Sequence, residues 1–199
     1  MGELPTVFIL AGGLGTRLRS VFSDRPKVLA EVGCVPFLDL QLKWLVRQGI
    51  RDVVLLTGYM SEQISSFIGK GSSWDLNIKI IQENTPLGTG GAILNALKKL
   101  QTKQEFILLN GDTLAEVSLL NFYKNNESDG LAQIVVVYQA DSRRFGTVKF
   151  DEKLNLIGFQ EKNILSKEGW INAGIYYFPE GWFESQTFTE RPLSLEQDM

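Results

Sequence analysis

The chain contains no histidine. Any chemistry it performs must therefore run without an imidazole base, nucleophile or metal ligand. This excludes Ser-His-Asp and Cys-His hydrolysis, histidine phosphotransfer and histidine-ligated zinc sites. Cysteine is almost as scarce. Cys34 stands alone, so no intrachain disulfide can form, and a reducing cytoplasm fits. The sequence lacks a secretory h-region and any apolar run of about 18 residues, so neither export nor a membrane span is expected. Positive charge is not in excess either. The formal net charge of −3 speaks against a nucleic-acid partner. It leaves room for a small anionic substrate, since a site needs only a few local cations. There is no internal repeat, no low-complexity segment and no linker rich in Pro, Gly or Ser.

What remains is ordinary for a globular α/β protein: 199 residues, 44% hydrophobic and 22% charged. That is enough for one domain with a substantial core. Strands are expected at Val7–Leu10, Asp52–Thr57, Ile78–Gln82 and Glu105–Leu109. Helices are expected between them: one opened by Pro36 as its first residue and running from Phe37 to Gln48, then 61–68, then 89–100. In the last, Ala92, Ile93, Ala96, Leu97 and Leu100 share one helical face. Strands joined by helices imply crossover connections and a mainly parallel sheet. After about residue 130 helices become scarce. The runs 132–138, 146–150, 156–160 and 173–178 read as strands with short links, that is, antiparallel pairing added in the C-terminal third. Trp74, Trp170 and Trp182 are read as packing residues.

Two glycine-bearing turns follow expected strands. In an open parallel sheet, ligands sit beyond the carboxyl ends of the strands, and both turns fall there. The first is Leu10-Ala11-Gly12-Gly13-Leu14-Gly15-Thr16-Arg17-Leu18. Its bare backbone N–H groups and the planar charged fork of Arg17 suit phosphate oxygens. No Gly-Lys-Ser/Thr follows, so it is not a Walker loop, and Leu18 stands where a dinucleotide fingerprint needs its third glycine. The second is Asn110-Gly111-Asp112-Thr113. Asp112 is placed either to hold a divalent ion against phosphate oxygens or to cap its own turn. Lys27, in Arg25-Pro26-Lys27, is placed to fold back over the same site, or else is a solvated loop charge, as Arg19 and Arg25 are. The turn Pro86-Leu87-Gly88-Thr89-Gly90-Gly91-Ala92 lacks a lysine. It offers backbone against which a flat base can lie, with Gln82 or Glu83 adding a contact, or it is a plain helix start. Glu161 and Lys162 end one strand and Asn172-Ala173-Gly174 opens another; these are sugar-phosphate contacts or ordinary strand-end polar groups.

In this order, these motifs resemble the sugar-phosphate nucleotidyltransferases, also called nucleoside-diphosphate-sugar pyrophosphorylases. The match runs nearly end to end and includes Phe145-Gly146 and Ser194-Leu195-Glu196-Gln197-Asp198. Within that family the chain is most similar to guanylyltransferases acting on D-glycero-D-manno-heptose 1-phosphate and mannose 1-phosphate. The resemblance implies a Rossmann-like three-layer α/β fold with a mixed, mainly parallel sheet and antiparallel additions. It also implies Mg²⁺-dependent transfer of a nucleoside monophosphate to a sugar 1-phosphate, giving an NDP-sugar of the kind used for surface polysaccharides. A homodimer is the assembly it suggests. By position, Leu10, Ala11, Gly12, Gly13, Gly15, Thr16 and Arg17 would hold the nucleotide phosphates. Lys27 would approach the α-phosphoryl group, and Gln82, Gly88 and Thr89 would meet the base. Gly111 would lie by the ribose and Asp112 would bind Mg²⁺. Gly146, Glu161, Lys162, Asn172 and Gly174 would line the sugar pocket.

One departure stands out. Members of the family continue past the Ser-Leu-Glu segment to a motif of Asp-Ile-Gly-Thr type, whose aspartate is a second metal ligand. This chain ends at Met199 without it, and Asp198 does not replace it. The expectation is a single domain over residues 1–199 lacking the family's C-terminal end. The rival readings are a sugar-nucleotide-binding homologue without turnover and a nicotinamide-dependent oxidoreductase, the latter disfavoured by Leu18 and Asp112.

Overall fold

The computed structural model describes residues 4–13, 24–69, 74–125, 130–160, 168–186 and 192–197. Its strands are β1 (Thr6–Leu10), β2 (Glu31–Val32), β3 (Val35–Pro36), β4 (Asp52–Thr57), β5 (Asn77–Gln82), β6 (Phe106–Asn110), β7 (Gln133–Gln139), β8 (Thr147–Phe150), β9 (Leu156–Gln160) and β10 (Gly169–Phe178). Its helices are α1 (Phe37–Arg47), α2 (Ser61–Gly69), α3 (Gly88–Leu100) and α4 (Leu119–Lys124). One sheet runs in the order β5-β4-β1-β6-β10-β8-β9, with β7 also paired to β10. β5, β4, β1 and β6 are parallel neighbours. β10 turns antiparallel to β6 and carries β7 and β8 antiparallel in its turn. This is the mixed sheet that the sequence pattern implied.

Alternation along the strands builds two cores, one on each face of the sheet. Val7 and Ile9 of β1 and Ile107 and Leu109 of β6 pack on one face against Leu38, Leu42 and Leu45 of α1, Ile64 of α2 and Leu119 of α4. Phe8, Leu56, Phe106 and Leu108 pack on the other against Ile93 and Ala96 of α3, with Phe178, Phe183 and Leu195. The buried leucines of α1 recur at helical spacing and are fully covered. Each such burial contributes about 1.5–3 kcal/mol. Helices on both faces make three layers, as expected.

The differences from the sequence reading are local. Pro36 is not the first residue of α1 but its N-cap, with φ −55° and extended ψ. It belongs instead to the small β2–β3 hairpin, whose turn residues Gly33 and Cys34 both have positive φ. α4 was not expected; its mark is Ser118, whose hydroxyl accepts from the Asn121 N–H at 3.2 Å. β10 starts at Gly169 rather than Ala173, because a bulge at Gly174 (φ +67°) breaks its alternation midway. Trp74 and Trp182 pack against Phe67 and Phe178. Trp170 is 42% exposed, on the outer side of β10 beside Tyr138 and Phe150.

Candidate active site

The parallel strands β1, β4, β5 and β6 end together, and the two glycine-bearing turns leave from that rim. Chain continuity at the end of β6 depends on Gly111. Its N–H donates to the Leu10 carbonyl at 3.0 Å. A Cβ there would sit 2.3 Å from the Leu10 carbonyl oxygen and 2.8 Å from Val28 Cγ1, so only glycine fits. Val28 is buried in the 3-10 turn Lys27–Leu29. Packing of Val28 on Gly111 therefore sets two loops, far apart in sequence, against each other. Their adjacent residues meet: Lys27 Nζ donates to Asp112 Oδ2. Both side chains remain partly open to solvent. Lys27 and Asp112, two of the three catalytic candidates that the sequence offered, thus share one rim; the third, Arg17, lies outside the described residues.

Gln41 fixes the Asp112 loop from below. It is fully buried on α1, and its Nε2 donates to the carbonyls of Asn110 (2.9 Å) and Thr113 (2.8 Å). Sequence reasoning missed it, although a lone glutamine between Leu38, Leu42 and Leu45 on an apolar face was a usable signal. The Asp112 carboxylate accepts from Thr113 Oγ1 at 3.3 Å. Among the described residues no backbone N–H donates to it, so it does not cap its own turn.

Of the sugar-pocket candidates, Asn172 and Gly174 lie next to this loop. Asn172 Oδ1 accepts from the Gly174 N–H at 2.7 Å, and Asn172 Nδ2 donates to Glu196 Oε1 at 2.7 Å and to the Tyr176 hydroxyl at 2.5 Å. A Cβ on Gly174 would lie 2.9 Å from Asn110 Nδ2, so the bulge of β10 rests on the residue that begins the Asp112 loop. Burial pushes the Tyr176 hydroxyl well above its ordinary range. Gly146 precedes Thr147, which pairs with Ile171, and so lies near Asn172. Glu196, Tyr176 and Asn110 join Asn172 and Gly174 there, and none of the three was expected in the sugar pocket.

On the β1 side, Ala11 donates to the Leu56 carbonyl at 2.8 Å, and Gly12 lies flat against the Thr57–Gly58 backbone. Gly13 has nothing within 4 Å of a notional Cβ. Gly15, Thr16, Arg17, Glu161 and Lys162 lie outside the described residues. At the start of α3, Gly88 (φ +79°) meets the Leu193 carbonyl, 2.4 Å from its notional Cβ, and the Thr89 hydroxyl accepts from the Leu195 N–H at 2.7 Å. Both are engaged by segment 192–197. The Gln82 side chain is exposed. Glu83 instead reaches the α3 side, where its Oε2 accepts from the Leu87 N–H at 3.3 Å. Burial raises its pKa above the ordinary carboxylate value, against that hydrogen bond.

A divalent ion fits this donor set in one way. Among the described residues no group of three or more acidic, cysteine or histidine side chains is arranged to hold a metal ion. Asp112 offers one hard oxygen ligand, unused by backbone donors. Mg²⁺ is commonly held by one or two carboxylates together with substrate phosphates and water.

Comparisons with known proteins show the family. The nucleotidyl transferase family model matches residues 6–198. A D-glycero-alpha-D-manno-heptose 1-phosphate guanylyltransferase from Campylobacter jejuni is 39% identical over 183 residues, covering 92% of this chain and 80% of that protein. A mannose-1-phosphate guanylyltransferase from Mycobacterium tuberculosis is 37% identical, covering 85% of this chain and 47% of that protein. Among solved structures, HddC from Yersinia pseudotuberculosis complexed with GMP-PN is similar with a TM-score of 0.86 and 34% identity, over 98% of this chain and 84% of that one.

Proposed function

The chain belongs to the nucleotidyl transferase family, and from that premise we propose that it transfers GMP from GTP to a sugar 1-phosphate and releases pyrophosphate. The observation that carries the proposal is the meeting of Lys27 with Asp112 at the strand-end rim, between the Gly12 shelf and the Asn172 cluster. Two polyanions must come together in such a reaction, and their repulsion is the main barrier to encounter. An oxygen of the sugar 1-phosphate attacks the α-phosphorus in line, its bond forms as the bond to the leaving pyrophosphate breaks, and the nucleoside monophosphoryl group ends joined to the sugar phosphate through a new phosphoanhydride bond. The attacking phosphate is already ionised near neutral pH. No general base is required, which suits a chain without histidine.

The protein's part is positioning and charge compensation. Leu10, Ala11, Gly12, Gly13, Gly15, Thr16 and Arg17 hold the nucleotide phosphates, and Lys27 approaches the α-phosphoryl group. Gly111 lies by the ribose, and Gln82, Gly88 and Thr89 border the base. Gly146, Glu161, Lys162, Asn172 and Gly174 orient the sugar phosphate. Asp112 would hold Mg²⁺, which offsets phosphate charge when bound. The sugar is a D-glycero-D-manno-heptose 1-phosphate, supported by the C. jejuni relative of similar length. The mycobacterial relative makes mannose 1-phosphate the second reading.

A panel of nucleoside triphosphates against heptose, mannose and glucose 1-phosphates, read by pyrophosphate release, tests this. GTP with heptose 1-phosphate should turn over fastest. Binding of a sugar nucleotide without pyrophosphate release from any pair would instead identify a non-catalytic homologue.

A further inference from the structure

We propose that segment 192–197 is a strap through which the two substrates tighten each other's binding, with Thr89 and Glu196 as its positioning residues. The inference rests on the nucleotidyl-transfer reading above, in which the turn 86–92 borders the base and Asn172 lies in the sugar pocket. It adds the physical link between those two places.

One end of the strap completes the base turn. The N-cap of α3 is Leu87, whose side chain cannot satisfy the first N–H groups of the helix. A backbone group from far along the chain does so instead. The Leu193 carbonyl accepts from the Gly90 N–H at 2.8 Å and from the Gly91 N–H at 3.4 Å, and the Leu193 N–H donates to the Leu87 carbonyl at 2.8 Å. The Thr89 hydroxyl accepts from the Leu195 N–H at 2.7 Å. The fit leaves no slack: a Cβ on Gly88 would stand 2.4 Å from the Leu193 oxygen. The turn therefore keeps its shape only with the strap in place.

The other end reaches the sugar pocket. Glu196 Oε1 accepts from Asn172 Nδ2 at 2.7 Å, and Asn172 Oδ1 holds the β10 bulge through the Gly174 N–H. Between the two ends the strap is buried. Leu193 and Leu195 are both covered, and Leu195 packs in the core that holds Phe8 and Ile93. The chain from Leu193 to Glu196 spans at most about 10–11 Å. A link that short, close-packed along its length, transmits a displacement instead of absorbing it.

A base settling on the turn thus fixes the strap, and the strap fixes the acceptor that aims Asn172 at the sugar. Linkage makes the effect reciprocal: a bound sugar 1-phosphate holds the base turn by the same factor. Thr89 and Glu196 act here through the strap, without touching the reacting atoms.

Affinity for heptose 1-phosphate and for mannose 1-phosphate is measured by calorimetry, with and without the non-transferable analogue α,β-methylene-GTP. The analogue should raise the wild-type affinity about 5- to 150-fold. Thr89→Val removes the acceptor at one end and Glu196→Ala the acceptor at the other, and each should bring that factor to about one. The double variant should lose no more than either single one, because a strap cut once is already cut. Thr89→Ser and Glu196→Gln keep an acceptor oxygen and should restore the factor. Amide exchange reads the same link with nucleotide alone: the analogue should slow exchange of the Gly174 N–H in the wild type but not in Thr89→Val. If Thr89→Val does not fold, Glu196→Ala against Glu196→Gln decides alone. A wild type without coupling, cut variants that keep the wild-type factor, or losses that add in the double variant overturn the proposal. Pyrophosphate release is followed on the same preparations. Release with unchanged coupling in the cut variants removes the strap alone, and coupling that follows these expectations without release removes the transfer reading alone.

Discussion

Lys27 donates its ammonium group to the carboxylate of Asp112, 85 positions away in sequence. The contact is made by side chains, but it is set by packing one residue inward on each loop, Val28 against Gly111. Lys27 therefore serves as an internal counter-ion for Asp112, at the place where a divalent ion and nucleotide phosphates would bring their own charges.

That exchange is measurable without turnover. Lys27→Met removes a cation that competes for the Asp112 carboxylate. Titration of the nucleotide-free protein with Mn²⁺ should show affinity increased by up to about fivefold, the scale of an exposed ion pair. Unchanged or weaker Mn²⁺ binding would mean that the pair does not occupy the metal-binding oxygen.

The same substitution should have a larger and opposite effect on catalysis. Removing one charge that stabilises the transferring phosphoryl group costs about 10²–10³-fold in turnover. The melting temperature should barely move, because the pair is partly exposed. Steady-state pyrophosphate release and a thermal melt on one preparation check this. Near-normal turnover would remove Lys27 from the mechanism.

Gln41 should act by position alone. Gln41→Leu leaves the half-buried carbonyls of Asn110 and Thr113 without their Gln41 donor. Urea unfolding should register a loss of about 1–3 kcal/mol. Turnover should fall about 10-fold as the Asp112 loop loosens, with little change in KM for GTP. A stable variant with wild-type turnover would show that the loop holds its shape without α1.

Glycines of the rim should separate into two kinds. Gly111→Ala drives a methyl into the Leu10 carbonyl, so it should destabilise by about 1–3 kcal/mol or prevent folding. Gly13→Ala has open space around it and should leave the unfolding midpoint unchanged. Its effect should fall on nucleotide binding, because the proposed function brings phosphate oxygens against the bare backbone there. Equal unfolding midpoints for the two variants would contradict the packing account.

Much of this was legible in the sequence, and the limits have physical reasons. β4 was readable because it is a continuous apolar run buried on both faces, and α3 because its buried face follows the helical period. The β2–β3 hairpin was not, since two-residue strands carry no period and Cys34 stands at a positive-φ turn position where Gly or Asn is usual. Pro36 fits the first turn of a helix as well as the strand that precedes one. In the site, Lys27 and Asp112 were singled out from residue type and from their place in the connections that follow β1 and β6. Glu196 was not, because its partner Asn172 is reached only through the docking of segment 192–197 on α3.

The most direct test is a single-turnover reaction with α-labelled GTP, heptose 1-phosphate and Mg²⁺, comparing the wild type with Asp112→Asn. The account predicts that the wild type moves the label into a sugar nucleotide with one pyrophosphate released per transfer. It predicts that Asp112→Asn, with an unchanged melting temperature, is slower by about 10²-fold or more. Equal rates for the two proteins, or label released as free GMP without sugar nucleotide, would contradict it.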